Sequence, residues 1–197
     1  GVGDYIEDHV LDDDYGSWRW RIDNEKNFLG AGVNIKNMDA ILEAMIQFME
    51  DSELDCVAMA QGGDYIGGPG SRVFQLHLQG KFIRKVMNSF LFSTKKPMKF
   101  IGRMNDDVNT YVINGKYGRI VCTLPRMMLN QAQTQANSGG LTEMYLELGT
   151  YVKSFYTVMM APYCTKIKEM GVTNKRLHHA INWNKAVPKI LDEKYKK

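Results

Sequence analysis

Three consecutive carboxylates, Asp12, Asp13 and Asp14, follow the apolar run that ends at Leu11. In an extended segment, side chains two residues apart point the same way, so Asp12 and Asp14 share a side. Two carboxylates held together favour a hard divalent cation. Mg2+ or Mn2+ suits oxygen ligands and keeps coordination positions open for phosphate oxygens. The alternative is a solvated acidic turn, since short acidic runs are common on surfaces. A second acidic group, Asn105-Asp106-Asp107, offers a general base for a hydroxyl, or else a cap for the segment that follows. Two of the four histidines, His178 and His179, are adjacent. A neutral imidazole can complete a metal shell or donate to a phosphate. Neighbouring side chains are expected to diverge, so at most one of the pair is expected to ligate. Between these groups lies Gln61-Gly62-Gly63-Asp64-Tyr65-Ile66-Gly67-Gly68-Pro69-Gly70, a loop whose backbone can lie close against a ligand or simply turn the chain. It is neither a Walker A loop nor a Rossmann fingerprint.

These groups need elements to hold them. Residues 5–12 and 17–22 read as strands, the second by alternation of large apolar and charged side chains. Residues 24–37 read as an Asn- and Gly-rich loop. A helix follows, capped by Asn37 or Asp39, with Ile41, Leu42, Met45, Phe48 and Met49 on one stripe. Residues 56–60 have the length of a buried strand. Residues 72–78 and 99–103 suggest strands, and 81–92 carry mixed signals. Residues 118–124 make a strand stopped by Pro125, 142–160 the longest helix with an interruption near Gly149, and 164–167 a last strand. With no repeat and no linker, residues 1–197 read as one mixed α/β domain. The chain starts directly at its first strand, so a further N-terminal portion is expected before it.

Composition narrows the class. The chain has 197 residues, 44% apolar and 24% charged, as globular domains do. No run approaches a membrane span. The net charge of +3 permits an anionic partner without demanding one. Three cysteines without metal-type spacing argue against a disulfide scaffold and for a reducing compartment.

The order of the signals resembles a family. Leu11-Asp12-Asp13-Asp14-Tyr15, the run from Ile101 to Tyr111, Asn137-Ser138-Gly139-Gly140, the run from Gly149 to Tyr156 and Arg176-Leu177-His178-His179 resemble the TET-associated glycosyltransferases of phages. The resemblance covers about residues 9–191. It implies a GT-A-like mixed sheet flanked by helices and an inverting, metal-dependent sugar transfer. The donor would be a nucleotide-sugar such as UDP-glucose, and the acceptor a hydroxymethylpyrimidine in DNA. By the same resemblance, Asp12 and Asp14 hold Mn2+ or Mg2+ on the donor diphosphate and Asp13 touches the ribose or sugar. Gly62, Gly63, Asp64, Gly67 and Gly68 lie beside the donor. Asp107, with Asp106 alongside, deprotonates the acceptor. His179, in preference to His178, completes the metal shell. The family's nucleotide-binding half begins before the D-x-D, and most of it is expected to be missing here. The implied location is the host cytoplasm, with no membrane partner.

Trp18, Trp20, Tyr65 and Arg72 are candidates to stack on a base or sugar, and Lys95, Lys96, Lys194, Lys196 and Lys197 to track phosphates. Two rivals use the same residues differently. A Mg2+-dependent nuclease or phosphotransferase would also cluster carboxylates, but no D-x-E-x-K-type string occurs. A non-catalytic viral nucleic-acid module would keep the basic residues and have no use for Asp12, Asp14 and Asp107.

Overall fold

The helix Met38–Asp51 (α1) forms where its spacing predicts. Asn37 caps it, its side-chain oxygen accepting the Ala40 N–H at 3.2 Å, and Met45 and Met49 are buried. Phe48, expected on the same stripe, is instead 40% exposed. In the computed structural model, the described residues are 7–10, 15–22, 28–61, 65, 68–81, 89–131, 142–149, 151–171 and 175–186. They fall into two compact units. Among them no helix is long and apolar enough to cross a membrane.

The first unit is a six-stranded mixed sheet. Its strands are Glu7–Val10 (β1), Tyr15–Ile22 (β2), Phe28–Asn34 (β3), Cys56–Gln61 (β4), Phe90–Ser93 (β5) and Val121–Gln131 (β6). They lie in the order β1-β5-β4-β6-β2-β3, with β4 and β6 parallel and the other pairs antiparallel. Cys56 to Ala60 of β4 are fully buried, as an apolar run in a sheet interior should be. Val57 and Met59 pack with Met45 and Met49 of α1, while Ala60 packs with Tyr65 and with Val73 of the helix Arg72–Leu78 (α2). The sheet is thus flanked by helices. Burial pushes the Cys56 thiol up to about 12, which makes it an inert core group.

Four local readings are corrected here. Residues 28–34 are a strand, not a loop. Gly32 has φ +67°, and a Cβ there would stand 2.9 Å from the Trp20 carbonyl, so the glycine admits close approach of β2 and β3 rather than marking a break. Residues 72–78 are helical because Ser71 caps them, its hydroxyl accepting the Phe74 N–H at 3.1 Å. Pro125 does not stop β6. Leu124 is opposite Met59 and Met128 opposite Ala60, so the proline sits where the ladder to β4 is interrupted. Residues 99–103 form no strand, and helix side chains take their backbone groups, as described below.

Arg21 is fully buried. Its guanidinium donates to the Gln61 carbonyl at 3.0 Å and to Met128 Sδ at 3.0 Å. Trp18 and Trp20 pack against the α1 core, and Tyr65 is buried edge-on to Phe74. These aromatics therefore belong to the core, whereas Arg72, Lys95 and Lys96 are exposed. Lys194, Lys196 and Lys197 lie outside the described residues.

The second unit holds Asp106–Lys116 (α3), Thr142–Leu148 (α4), Tyr151–Met160 (α5), Thr165–Met170 (β7), Arg176–Ile181 (β8) and Trp183–Ala186 (α6). The break at Gly149 expected from sequence is present. Its φ is +83°, and a Cβ there would lie 2.6 Å from the Tyr151 ring. β7 and β8 form an antiparallel hairpin, so Cys164–Ile167 does not begin the last strand.

Candidate functional site

The acidic pair sits in the first turn of α3, where negative charge is favoured by the helix dipole. Asp107 is half-buried and Asp106 exposed. Asp107 Oδ1 accepts the Val108 N–H at 2.7 Å, which fixes the carboxylate against the helix start. The segment before the helix is held by α3's own inward polar side chains. Asn109 Nδ2 donates to the carbonyls of Ile101 (3.2 Å) and Met104 (3.0 Å), Asn114 Nδ2 to Lys99 (3.3 Å), and Thr110 Oγ1 accepts the Ile101 N–H (3.2 Å). A strand would need a neighbour to satisfy these groups, and here a helix does so instead. Gly102, at φ +93°, lets this segment lie flat on the Tyr156 ring, whose hydroxyl accepts the Arg103 N–H at 3.4 Å.

Asn105 is the junction. It precedes α3 in the left-handed region (φ 51°, ψ 34°) and its side chain makes no cap. Its amide nitrogen turns to α5 and β8, donating to the Lys153 carbonyl at 3.2 Å and Thr157 Oγ1 at 3.0 Å, and it lies 3.1 Å from His179 Nδ1. Its two N–H groups are shared among these three acceptors, and since an amide nitrogen cannot accept, Nδ1 is the accepting atom of the His179 ring. His178 has the opposite arrangement. Its Nδ1 lies 2.7 Å from the His179 carbonyl, so Nδ1 carries a proton and donates it to that oxygen. The two rings stack 4.2 Å apart, against the expectation that neighbouring side chains diverge.

The groups in electrostatic contact with Asp107 come from α4 and α5, and β8 adds a charge near the second of them. The Tyr145 hydroxyl of α4 has its pKa raised by burial and then by the negative charges of Asp106 and Asp107. The Lys153 ammonium of α5 has its pKa lowered by burial and by nearby Arg176 of β8, with Asp107 opposing. Lys153 Nζ also lies 5.6 Å from the centre of the Tyr145 ring. Asp106, Asp107, Tyr145, Lys153, Arg176, His178 and His179 thus belong to one neighbourhood of the second unit. Such a set brings a carboxylate near an ammonium group and a phenol, which suits proton removal from a hydroxyl next to an anionic group.

Of the residues singled out from sequence, Asp12, Asp13, Asp14, Gly62, Gly63, Asp64 and Gly67 lie outside the described residues, as does the run Asn137–Gly140. Among the described residues no three His, Cys, Asp or Glu side chains cluster as a metal site. Gly68 is buried in the first unit at φ +60°, where it starts a 3-10 turn between β4 and α2. Tyr145 and Lys153 join the site without a mark in the sequence, and Asn105 acts as its junction rather than as a base or cap. Asn105 carried a signal, since asparagine is among the few residues that tolerate the left-handed region before a helix. Lys153 and Thr157 are four apart on one helix face, a spacing that carries no functional mark by itself.

The family described as TET-Associated Glycosyltransferase matches residues 8–140, more than half of the chain. No curated protein and no solved structure is detectably similar to it. The match includes Asp12 to Asp14 and Asn105 to Asp107, while Lys153, Arg176, His178 and His179 lie beyond its end.

Proposed function

The chain belongs to the TET-associated glycosyltransferase family and is a glycosyltransferase, and from that premise we propose that it transfers a sugar from a nucleotide-sugar such as UDP-glucose to a hydroxymethylpyrimidine of DNA. The observation that supports the mechanism is the Asp107 carboxylate, fixed by the Val108 N–H at the start of α3 and within electrostatic reach of Tyr145 of α4 and Lys153 of α5. Asp107 is the general base. Its carboxylate, oriented by the Val108 N–H, takes the proton of the acceptor hydroxymethyl group. The freed oxygen attacks the anomeric carbon while the bond to the diphosphate breaks. With base and leaving group on opposite faces, the configuration inverts, as in a GT-A-type reaction. Lys153 supplies positive charge near the base, with Arg176 near Lys153, and Asp106 adds to the acidic environment without burial. The target base must leave the DNA stack to reach such a site.

Two carboxylates and an imidazole are a donor set suited to Mn2+ or Mg2+. Asp12 and Asp14 are the proposed carboxylate ligands, and Asp13 the group that meets the ribose or sugar. His178 fits the imidazole role better than His179. A ligating histidine typically donates one ring N–H to a carbonyl and binds through the other nitrogen, as the bond from Nδ1 to the His179 carbonyl would permit. A divalent ion held there would offset charge building on the leaving diphosphate. Gly62, Gly63, Asp64, Gly67 and Gly68 are proposed to border the donor. The enzyme is proposed to work in the cytoplasm of a phage-infected cell.

The test is mass spectrometry of hydroxymethylated DNA incubated with the protein and a panel of nucleotide-sugars. Asp107→Asn should lower transfer by about 10²- to 10⁴-fold, the usual weight of a general base, while the affinity for UDP measured by calorimetry stays near normal. Equal loss of transfer and of UDP affinity would remove the base assignment.

A further inference from the structure

The β7–β8 hairpin has two chemically different faces. In its register Lys166 is opposite Ala180 and Lys168 opposite His178, so both lysines lie on one face, and both are exposed. His179, opposite Ile167, lies on the other face, which makes the contact with Asn105. On the lysine side there is a cleft of about 590 Å3, lined by Tyr163, Lys166, Lys168, Asn182, Asn184 and Lys185 among others. Among the described residues, three that line it are lysines and none is acidic. The acid nearest along β7, Glu169, falls on the opposite face by alternation and is engaged by Lys175 at 2.9 Å. None of the three lysines forms an ion pair with a described residue. The walls are fixed: Tyr163 donates its hydroxyl proton to the Val112 carbonyl at 3.2 Å, and Asn182 Oδ1 accepts the Lys185 N–H at 3.2 Å.

We propose that this cleft is a docking site for the sugar-phosphate backbone of the acceptor DNA, a proposal that rests on the DNA-acceptor reading above. Lysines two apart on a strand stand about 6.8 Å apart at their backbones, so they address successive anionic groups rather than one. The cleft is also larger than a single phosphate needs. Ammonium groups act as point charges and carry no base code, so the site positions the duplex and leaves sequence unread. Asn182 and Asn184 bring side-chain amides that can donate to phosphate oxygens.

The test uses the whole chain and a short hydroxymethylated duplex, with binding followed by fluorescence anisotropy between 50 and 200 mM salt, a range over which about ten phosphate contacts change affinity steeply. Each phosphate contact contributes about 0.9 to the log–log salt slope, so Lys166→Gln/Lys168→Gln/Lys185→Gln should make the slope shallower by about 2.7. Each single substitution should remove about 0.9. Lys36→Gln/Lys81→Gln/Lys99→Gln, which removes the same charge from exposed sites elsewhere, should change the slope by less than about 1. A cleft variant with the wild-type slope, or a control that loses as much, would overturn the proposal. Loss of UDP-sugar affinity with DNA binding intact would also overturn it, by assigning the cleft to the donor. Failure of the transferase reading would look different: DNA binding with the lysine-dependent slope, but no sugar on the base by mass spectrometry.

Discussion

Replacing Asn105 by alanine should be among the most damaging single changes in the second unit. The amide has two N–H groups, and it sits within 3.2 Å of the Lys153 carbonyl, 3.0 Å of Thr157 Oγ1 and 3.1 Å of His179 Nδ1. Two hydrogen bonds at about 1 kcal/mol net each set the side-chain loss at about 2 kcal/mol. Thr157 still donates to the Lys153 carbonyl at 3.2 Å, so that group is not left without a partner and the loss stays near this value. The backbone at φ 51° adds about 1 kcal/mol for alanine, whose Cβ disfavours the left-handed region that asparagine tolerates. The sum is about 3 kcal/mol. In urea unfolding with a slope of about 2 kcal/mol per molar, the midpoint should fall by about 1.5 M. Asn105→Gly removes the same amide but keeps the backbone unstrained, and its midpoint should lie between the wild type and the alanine variant. A shift below about 0.5 M for alanine, or a glycine variant less stable than the alanine one, would refute this account of the junction.

Two other changes separate packing from chemistry. Gly102→Ala places a Cβ at φ +93° into the Tyr156 ring and 3.1 Å from Asn109 Nδ2, and should lower stability by at least about 2 kcal/mol in the same unfolding assay. Full stability would mean that the 99–103 segment does not lie on α5. His178→Ala should raise the Mn2+ concentration needed for half-maximal transfer at least about tenfold, whereas His179→Ala should shift it little. The reverse pattern would transfer the ligand role to His179.

Elements whose reasons are local were legible. α1 carries its cap and apolar stripe within 15 residues of chain, and β4 is an unbroken apolar run with the length of a strand. The misread elements depend on a neighbour. Gly32 looks like a loop residue until the Trp20 carbonyl stands beside it, and Pro125 looks like a stop until the ladder to β4 is seen to be interrupted there. Ser71 is a local signal that the apparent alternation of Val73, Gln75 and His77 outweighed. The candidate site divides in the same way. Asp106, Asp107, His178 and His179 were visible as residue types. What joins them is one side chain reaching partners 48, 52 and 74 residues away, and no periodicity or spacing records such bonds.

That junction also bears on how the family's motif works. The match ends at residue 140, yet Asn105, two residues before the carboxylate proposed as the base, bonds to α5 and β8, which follow it. Gly102 and Arg103 inside the matched stretch lie against Tyr156 outside it. The run from Ile101 to Tyr111 is therefore half of a contact whose other half is the run from Gly149 to Tyr156 with the histidine pair. Neither run explains itself alone: Gly102 needs the flat ring, and Asn105 needs the Lys153 carbonyl and the His179 nitrogen. The setting of the proposed base is accordingly a property of α3, α5 and β8 packed together, and substitutions at the α5 contacts of Asn105 should act on it through that junction.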